Sequence, residues 1–395
     1  MSVIQKPFRI QGSRTCDAER RMITPPPGRT GLRVQASMSE SEKPKVLICG
    51  AGVIGASIAY HLALKDVRCE LVDRSGVASA ASGKAGGFLA LDWNDGSPLG
   101  PLARLSFQMH EDLASTLELS SYRRMTCEAV SVEGGPKPKS KKLSHVEWVD
   151  LGVRGSRVMG TEDTVAQVHP KHFTEGLLHA ARERCGTSVR VGEVQAICLD
   201  ADMRVTGVKI DGEVEPADVV VVAMGPWSAR VEGVHVPPVL GQKYHSVLMR
   251  PGRTLSQAVF FQGYGDPEVY PRPDGDVYVT GFPDQPAEVT EVPGQVEVRE
   301  EVCTRLIDTV RKVSSEFQSA EVTVKQSCHL PITLDGMPMM GKLPLIQGGY
   351  IATGHSCWGI LNAPATGAAM AELIVNGTAT CVDISAFDPV RFYNA

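Results

Sequence analysis

Four apolar residues, Val46-Leu47-Ile48-Cys49, run from Lys45 into a glycine, a stretch of strand length with no helical period. The small and apolar residues from Ala56 to Leu64 suit a helix, and Arg68 to Val72 forms a second strand-like run ending at Asp73. A helical stretch follows around Leu105 to Leu119. His169-Pro170 opens another helix that reaches about Arg184, and Val189 to Ile197 reads as a strand. Asp218-Val219-Val220-Val221-Val222-Ala223 is apolar on successive positions, the mark of a strand buried on both faces, and it empties into Met224-Gly225-Pro226-Trp227. From about 235 to 325 short strands such as Val277-Tyr278-Val279-Thr280 are separated by Pro and Gly, with one helix near Val296 to Ser314. Near the end, Gly349-Tyr350-Ile351-Ala352-Thr353-Gly354-His355 leads into a small-residue helix over Pro364 to Val375.

These patterns predict an α/β fold in which a parallel-sheet domain carries an inserted mixed, mostly antiparallel β-sheet domain. A chain of 395 residues exceeds what one core usually organises. The expected division assigns 44–100, 161–232 and 326–380 to the first domain and 101–160 and 233–325 to the second.

The motif that carries chemistry is Gly50-Ala51-Gly52-Val53-Ile54-Gly55, set between the first strand and the first helix, with Asp73 18 residues after its last glycine. Gly50 permits a tight turn, Gly52 lets backbone approach a pyrophosphate, and Gly55 allows close helix-strand packing. The helix N-terminus then faces the phosphates. Asp73, followed by Arg74, is placed to accept hydrogen bonds from ribose hydroxyls, and its charge would repel a 2′-phosphate, which disfavours NADP. FAD and NAD both remain open at this point. Ala78 to Phe88 is too small and polar for a core element and reads as a backbone-rich loop.

Composition narrows the class. The chain is 43% hydrophobic and 22% charged with a net charge of −5, which gives no electrostatic footprint for nucleic acid. Its ten cysteines stand singly without metal-like spacing, so a reducing compartment and no structural metal are expected. The apolar stretch Val46 to Leu64 contains three glycines, Ser57 and His61 in a strand-turn-helix pattern and is not read as a membrane span. Lys137 to Lys142 is expected to be a solvated turn. Residues 1–43 differ from the rest: Arg9, Arg14, Arg20, Arg21, Arg29 and Arg33 lie among Ser, Thr and Pro25-Pro26-Pro27. That composition, with Val34-Gln35-Ala36 before Ser37, suits a transit peptide for the plastid first and the mitochondrion second; Asp17 and Glu19 count toward a plain disordered extension of a cytoplasmic protein.

As a set, the segments from about 45 to 376 resemble the FAD-dependent D-amino-acid oxidase, glycine oxidase and sarcosine oxidase superfamily, whose cofactor domain is Rossmann-like and of the glutathione-reductase type. Ala81, Ser82, Gly86, Gly87 and Phe88 match the family loop that wraps the flavin, which favours FAD over NAD. Val194 stands at the family's adenine-contacting valine. Ala223-Met224-Gly225-Pro226-Trp227-Ser228 is similar to its "ATGxWS" turn, Leu240-Gly241-Gln242 to its "RGQ" turn, and Tyr270-Pro271-Arg272 with Gly275 to its "PR-DG" hairpin. Thr333 to Gly341 resembles "TPDGxPxIG", and Gly354-His355 with Cys357-Trp358-Gly359-Ile360-Leu361 stands for "GHGxxGxxLAP". The resemblance implies that this last turn lies along the isoalloxazine ring, where His355 either donates to the flavin or is satisfied by nearby carbonyls.

Two departures bear on chemistry. Leu330 stands where many members carry the arginine that clamps a substrate carboxylate; Arg272, Lys243 or Lys84 would have to compensate, or serve only as turn and surface charges. Cys328 stands seven residues before Asp335, the spacing of the flavin-linking cysteine in sarcosine oxidase relatives, and is otherwise a small buried thiol. The resemblance implies hydride transfer from an amine or amino-acid-like carbon to the flavin, with O₂ or another acceptor reoxidising it. Tyr270, Arg272, Cys328 and His329 are the expected face of the substrate site. Two other readings stay open: an FAD-containing assembly protein with little catalysis, and an FAD-dependent hydroxy-acid dehydrogenase.

Overall fold

A computed structural model describes residues 44–135 and 146–393. The expected transit segment and the lysine-rich turn 137–142 lie outside the described residues. In chain order the first part comprises β1 (Val46–Cys49), α1 (Val53–Leu64), β2 (Cys69–Asp73), α2 (Ala81–Lys84), β3 (Phe88–Ala90), α3 (Gly100–Thr116), β4 (Tyr122–Arg124), β5 (Thr126–Ser131), β6 (Gly155–Gly160) and β7 (Val165–Val168). The middle comprises α4 (Pro170–Cys185), β8 (Ser188–Val191), β9 (Val194–Leu199), β10 (Val205–Ile210), β11 (Glu213–Pro216), β12 (Val219–Val222) and β13 (Val239–Arg250). It continues through β14 (Gln257–Gln262), β15 (Glu268–Pro271), β16 (Val277–Gly281), α5 (Glu300–Val313), β17 (Glu321–Thr333), β18 (Met339–Lys342), β19 (Gly349–Thr353) and α6 (Gly359–Asn376).

Six strands form the first sheet in the order β18-β19-β12-β1-β2-β8. All its pairs are parallel except the edge pair β18 with β19. The unbroken apolar runs of β1 and β12 are explained by burial on both faces: Val46, Ile48 and Val221 pack toward α1, α4 and α6, while Leu47, Cys49, Val220 and Val222 pack toward the β9–β11 sheet. The single strand expected over Val189 to Ile197 is two. β8 ends at Val191, Gly192 turns the chain, and β9 joins the antiparallel β11-β10-β9 sheet. A seven-stranded sheet of order β17-β13-β16-β15-β14-β5-β6 is mostly antiparallel, with β5 and β14 its one parallel pair. The segment Ala78 to Phe88 contains α2 within the expected loop.

Two boundaries differ from the expected division. α3 was expected within the 101–160 part of the second domain, yet Leu102, Ala103, Phe107 and Leu113 bury in the same cluster as α1 and α6. Its register is fixed where Ser106 Oγ accepts from the Ala365 amide at 2.9 Å, one residue past the proline inside α6. Likewise β17 begins at Glu321, and its pairing with β13 runs unbroken from Val324 to Thr333, so that boundary falls within one strand. The smallness of α6 also has a packing reason: a β-carbon on Gly367 would lie 2.2 Å from Ser57 Oγ of α1.

The seven-stranded sheet buries two unlike faces, because successive residues of a strand point opposite ways. Val247, Met249, Val259, Phe261, Val269, Val277 and Val279 pack under α5. Leu248, Ala258, Phe260, Tyr270, Tyr278 and Cys127 form the other face with Phe88 and Trp93.

The chain end pins the turn between β17 and β18. Arg391 donates to Asp335 Oδ2 at 2.7 Å, to the Met337 carbonyl at 3.0 Å and to the Pro338 carbonyl at 2.9 Å. Burial alone would raise the Asp335 carboxyl, but Arg391, the Met337 amide and the Thr333 hydroxyl outweigh it and hold the group below its ordinary value. Arg391→Ala is expected to cost about 2 kcal/mol, as a loss of charged hydrogen bonds does. A depressed carboxyl stabilises the fold above its unfolded pKa of about 3.9 and loses that contribution as pH falls through its folded value. The melting temperatures of the two proteins should therefore differ at neutral pH and converge in acid; an equal difference at both would refute the ion pair's part.

Candidate active site

A cavity of about 540 Å³ opens at the carboxyl ends of the parallel strands, where β2 flanks β1 on one side and β12 on the other. This is the switch point at which open α/β sheets leave a crevice. Gly50 has φ +111°, and a β-carbon there would lie 2.4 Å from the Ala223 carbonyl oxygen. A β-carbon on Gly55 would lie 2.0 Å from the Gly50 oxygen. Both glycines thus bring β1, β12 and the start of α1 together. Ser82 Oγ accepts from the Val53 amide at 2.9 Å, which leaves its own proton to donate at the helix N-terminus. Asp73 Oδ2 accepts from the Ala51 amide and Oδ1 from the Ser75 amide, each at 2.9 Å. Each carboxylate oxygen keeps a second lone pair, so the same side chain braces the turn and faces the cavity.

Of the residues expected at the cofactor, Gly50, Gly52, Val53, Ile54, Asp73, Arg74, Ala81, Ser82, Val194, Ala223, Gly225, Trp227, Gly354, His355, Cys357, Gly359 and Ile360 line this cavity. Gly55, Gly86, Gly87, Phe88, Trp358 and Leu361 do not. Gly86 abuts the tyrosines, since a β-carbon there would lie 2.3 Å from Tyr270 Cδ2; Gly87 has φ +78° and packs against the Val168 oxygen. Phe88 stacks on Tyr270 at 5.2 Å, Trp358 meets Trp93 edge-on, and Leu361 is core. His355 is buried: Nε2 meets Thr366 Oγ1 at 3.1 Å, Nδ1 has no partner among the described residues, and burial depresses the ring to about 3, so it is neutral. The start of α6 has no side-chain cap, and Gly359 and Ile360 present that helix end to the cavity.

Sequence spacing missed a strap without regular structure between β16 and α5. Trp227 Nε1 donates to the Glu291 carbonyl at 2.8 Å, Arg230 to the Val289 carbonyl, and Ser75 to the Pro293 carbonyl at 2.5 Å, so that Pro293 joins the lining. Arg230, Lys209 and Glu232 also line the cavity and carried no local signal.

The FAD-dependent oxidoreductase family model matches residues 45–373. The chain belongs to that family. It is 26% identical to glycine oxidase of Geobacillus kaustophilus over 88% of this chain and 96% of that one. A Schizosaccharomyces pombe protein described only as an oxidoreductase is 28% identical over 88% and 98%. The crystal structure of the Geobacillus kaustophilus glycine oxidase superposes with TM-score 0.74 at 24% identity, covering 88% of this chain and 99% of that chain. The protein is therefore an FAD-dependent oxidoreductase related to amino-acid oxidases and dehydrogenases. The residues present fit the cofactor: two helix N-termini, an aspartate at the β2 end and glycines that cannot carry a β-carbon frame one cavity.

In this FAD-dependent oxidoreductase the four expected substrate-site residues do not line that cavity. Tyr270 donates its hydroxyl to Glu268 Oε2. Arg272 is buried, donating to the Ala85 carbonyl at 3.0 Å and meeting His169 Nε2 at 3.2 Å, so it anchors the flavin loop and is not free to clamp a carboxylate. His329 lies one residue past Cys328 and so points to the other face, where Nε2 meets Glu291 at 3.2 Å. The other cations proposed as substitutes are also engaged. Lys84 donates to the Ser327 carbonyl at 3.1 Å, and Lys243 pairs with Glu291 and Glu297.

Gly50→Ala is expected to yield folded chain largely free of flavin, read as the ratio of visible to ultraviolet absorbance; a fully yellow variant would refute the requirement for close approach. Cys328 is buried and its thiol is pushed up to about 11 by burial, with Lys84 opposing. A thiol kept protonated and off the cavity surface is a poor partner for a thioether. Acid precipitation should therefore leave the yellow colour in the supernatant, whereas colour retained in the pellet would establish a covalent link.

Proposed function

We propose that this protein oxidises a carbon–nitrogen bond of a small amine or amino-acid-like molecule, with hydride passing to FAD and O₂ or another acceptor taking the electrons onward. The observation that carries the reading is the polar-aromatic face of the seven-stranded sheet, Tyr244, Glu268, Tyr270 and Tyr278, which reaches the cavity lining through Leu330 on the same face of β17. The glycine oxidase relative supports it.

FAD supplies the hydride acceptor; the chain supplies position and environment. The Val53 end of α1 with Ser82 would hold the pyrophosphate, and Asp73 the ribose. The uncapped start of α6 presents a positive dipole end to the cavity, which would favour negative charge held there. The packed aromatic rings of Phe88, Trp93, Phe260 and Tyr270 make an apolar wall that would keep water from a substrate held against it. A second reading, FAD held for structural reasons in an assembly protein, is favoured by the engagement of Arg272, Lys84 and Lys243 elsewhere.

Anaerobic incubation of the FAD-loaded protein with amines, N-methyl amino acids, cyclic imino acids and hydroxy acids tests the proposal. Bleaching of the visible flavin band by a nitrogen compound is the expected result. Bleaching by hydroxy acids alone would replace it with alcohol oxidation, and a band that nothing bleaches would favour the structural role.

A further inference from the structure

The face of the seven-stranded sheet turned toward the cavity is set by register. Tyr244 pairs with Cys328, Ser246 with Thr280 and Gln326, Leu248 with Tyr278, Tyr270 with Tyr278, and Phe260 with Glu268. Among these positions Glu268 is the one acid. Its carboxylate is half-buried and takes the Tyr270 hydroxyl, and no Lys, Arg or His among the described residues makes an ion pair with it. Arg157 stands exposed on the edge strand β6, opposite Ala129. Burial holds the Glu268 carboxyl above its ordinary value, with the Tyr270 hydrogen bond opposing. Leu330, two residues past Cys328 and so on the same face of β17, lines the cavity, and Trp358, next to the cavity-lining Cys357, meets Trp93 of the aromatic wall, so this face is the one that borders the cavity.

Around this acid stands an aromatic wall. Tyr270 and Tyr278 are stacked at 5.9 Å with 5° between planes, Phe88 continues the stack at 5.2 Å, and Trp93 meets Phe260 at 5.1 Å and Trp358 at 6.3 Å. A half-buried carboxylate without a cation costs free energy that a cationic ligand recovers, and aromatic faces add to the attraction. A carboxylate on the ligand, by contrast, meets Leu330 and Pro331 in the lining and like charge at Glu268.

We infer that Glu268, within the wall of Tyr244, Tyr270, Tyr278 and Phe260, is the recognition group for a cationic amine, and that the substrate carries no carboxylate beside its amine. The inference rests on the reading above that the cavity hosts amine oxidation. The substrate ammonium gives one N–H proton to the Glu268 carboxylate, leaving a neutral amine. FAD, which the Val53 end of α1, Ser82 and Asp73 would hold, would supply the acceptor for the hydride of the carbon–hydrogen bond, and the nitrogen lone pair would then form the C=N bond of an iminium ion. Water adds to that bond and releases a carbonyl compound and an amine; the two electrons go on to the acceptor.

The test uses probes that are not turned over: the FAD-loaded protein titrated with tetramethylammonium and, separately, with benzoate, followed by the flavin's visible spectrum. Tetramethylammonium is expected to perturb the spectrum saturably and benzoate not. Glu268→Gln, which keeps the shape and an acceptor for Tyr270, should weaken the cation at least about tenfold, as losing a charge-assisted contact does, and Glu268→Asp should restore most of it. Tighter binding of benzoate than of the cation, no binding of the cation, or equal cation binding by Glu268→Gln would each overturn the inference. The first comparison needs no variant and so survives a variant that fails to fold. Bleaching by amino acids better than by amines would overturn this inference while leaving carbon–nitrogen oxidation intact, whereas bleaching by hydroxy acids alone overturns the broader proposal.

Discussion

Gly50 sits with φ +111° between the ends of β1 and β12, where the Ala223 carbonyl leaves no space for a side chain. That contact sets how near the two strands end, and with it the width of the crevice between the turns that follow them. Gly55 repeats the constraint one turn later by laying α1 on the Gly50 carbonyl. Asp73 then ties the end of β2 to the same turn through the Ala51 amide. The helix N-terminus, the aspartate and the Ala223 to Trp227 turn face one cavity because these short contacts permit no other spacing.

The second constraint is the strict alternation of the seven-stranded sheet. Under α5 the sheet carries a cluster of Val and Met with Phe261, and this anchors it. The other face is thereby released from pure packing and carries tyrosines, Glu268 and Cys328. The same alternation separates neighbours in sequence: Cys328 lies on the Tyr244 face, while His329 joins Lys243 and Glu291 on the opposite one. The strap before α5 closes the cofactor crevice through its carbonyls, which Trp227, Ser75 and Lys84 bind as donors. Its sequence can vary widely without loss of those bonds, which explains why no motif announced it.

The sequence by itself determined the parallel sheet, the glycine turn, the acid at the end of β2 and the second strand-glycine-helix passage. Each depends on residues within a few positions of one another, where periodicity and backbone sterics act directly. It also placed about half of the described residues that line the cavity. Only the tertiary structure decided that α3 packs with α6, that Gly86 is small to admit Tyr270, that Arg272 is spent on the Ala85 carbonyl and His169, and that Glu268 has no ion-pair partner among the described residues. Those outcomes depend on partners tens to hundreds of residues distant, and on which face of a strand a side chain takes once the register is fixed, neither of which local spacing encodes.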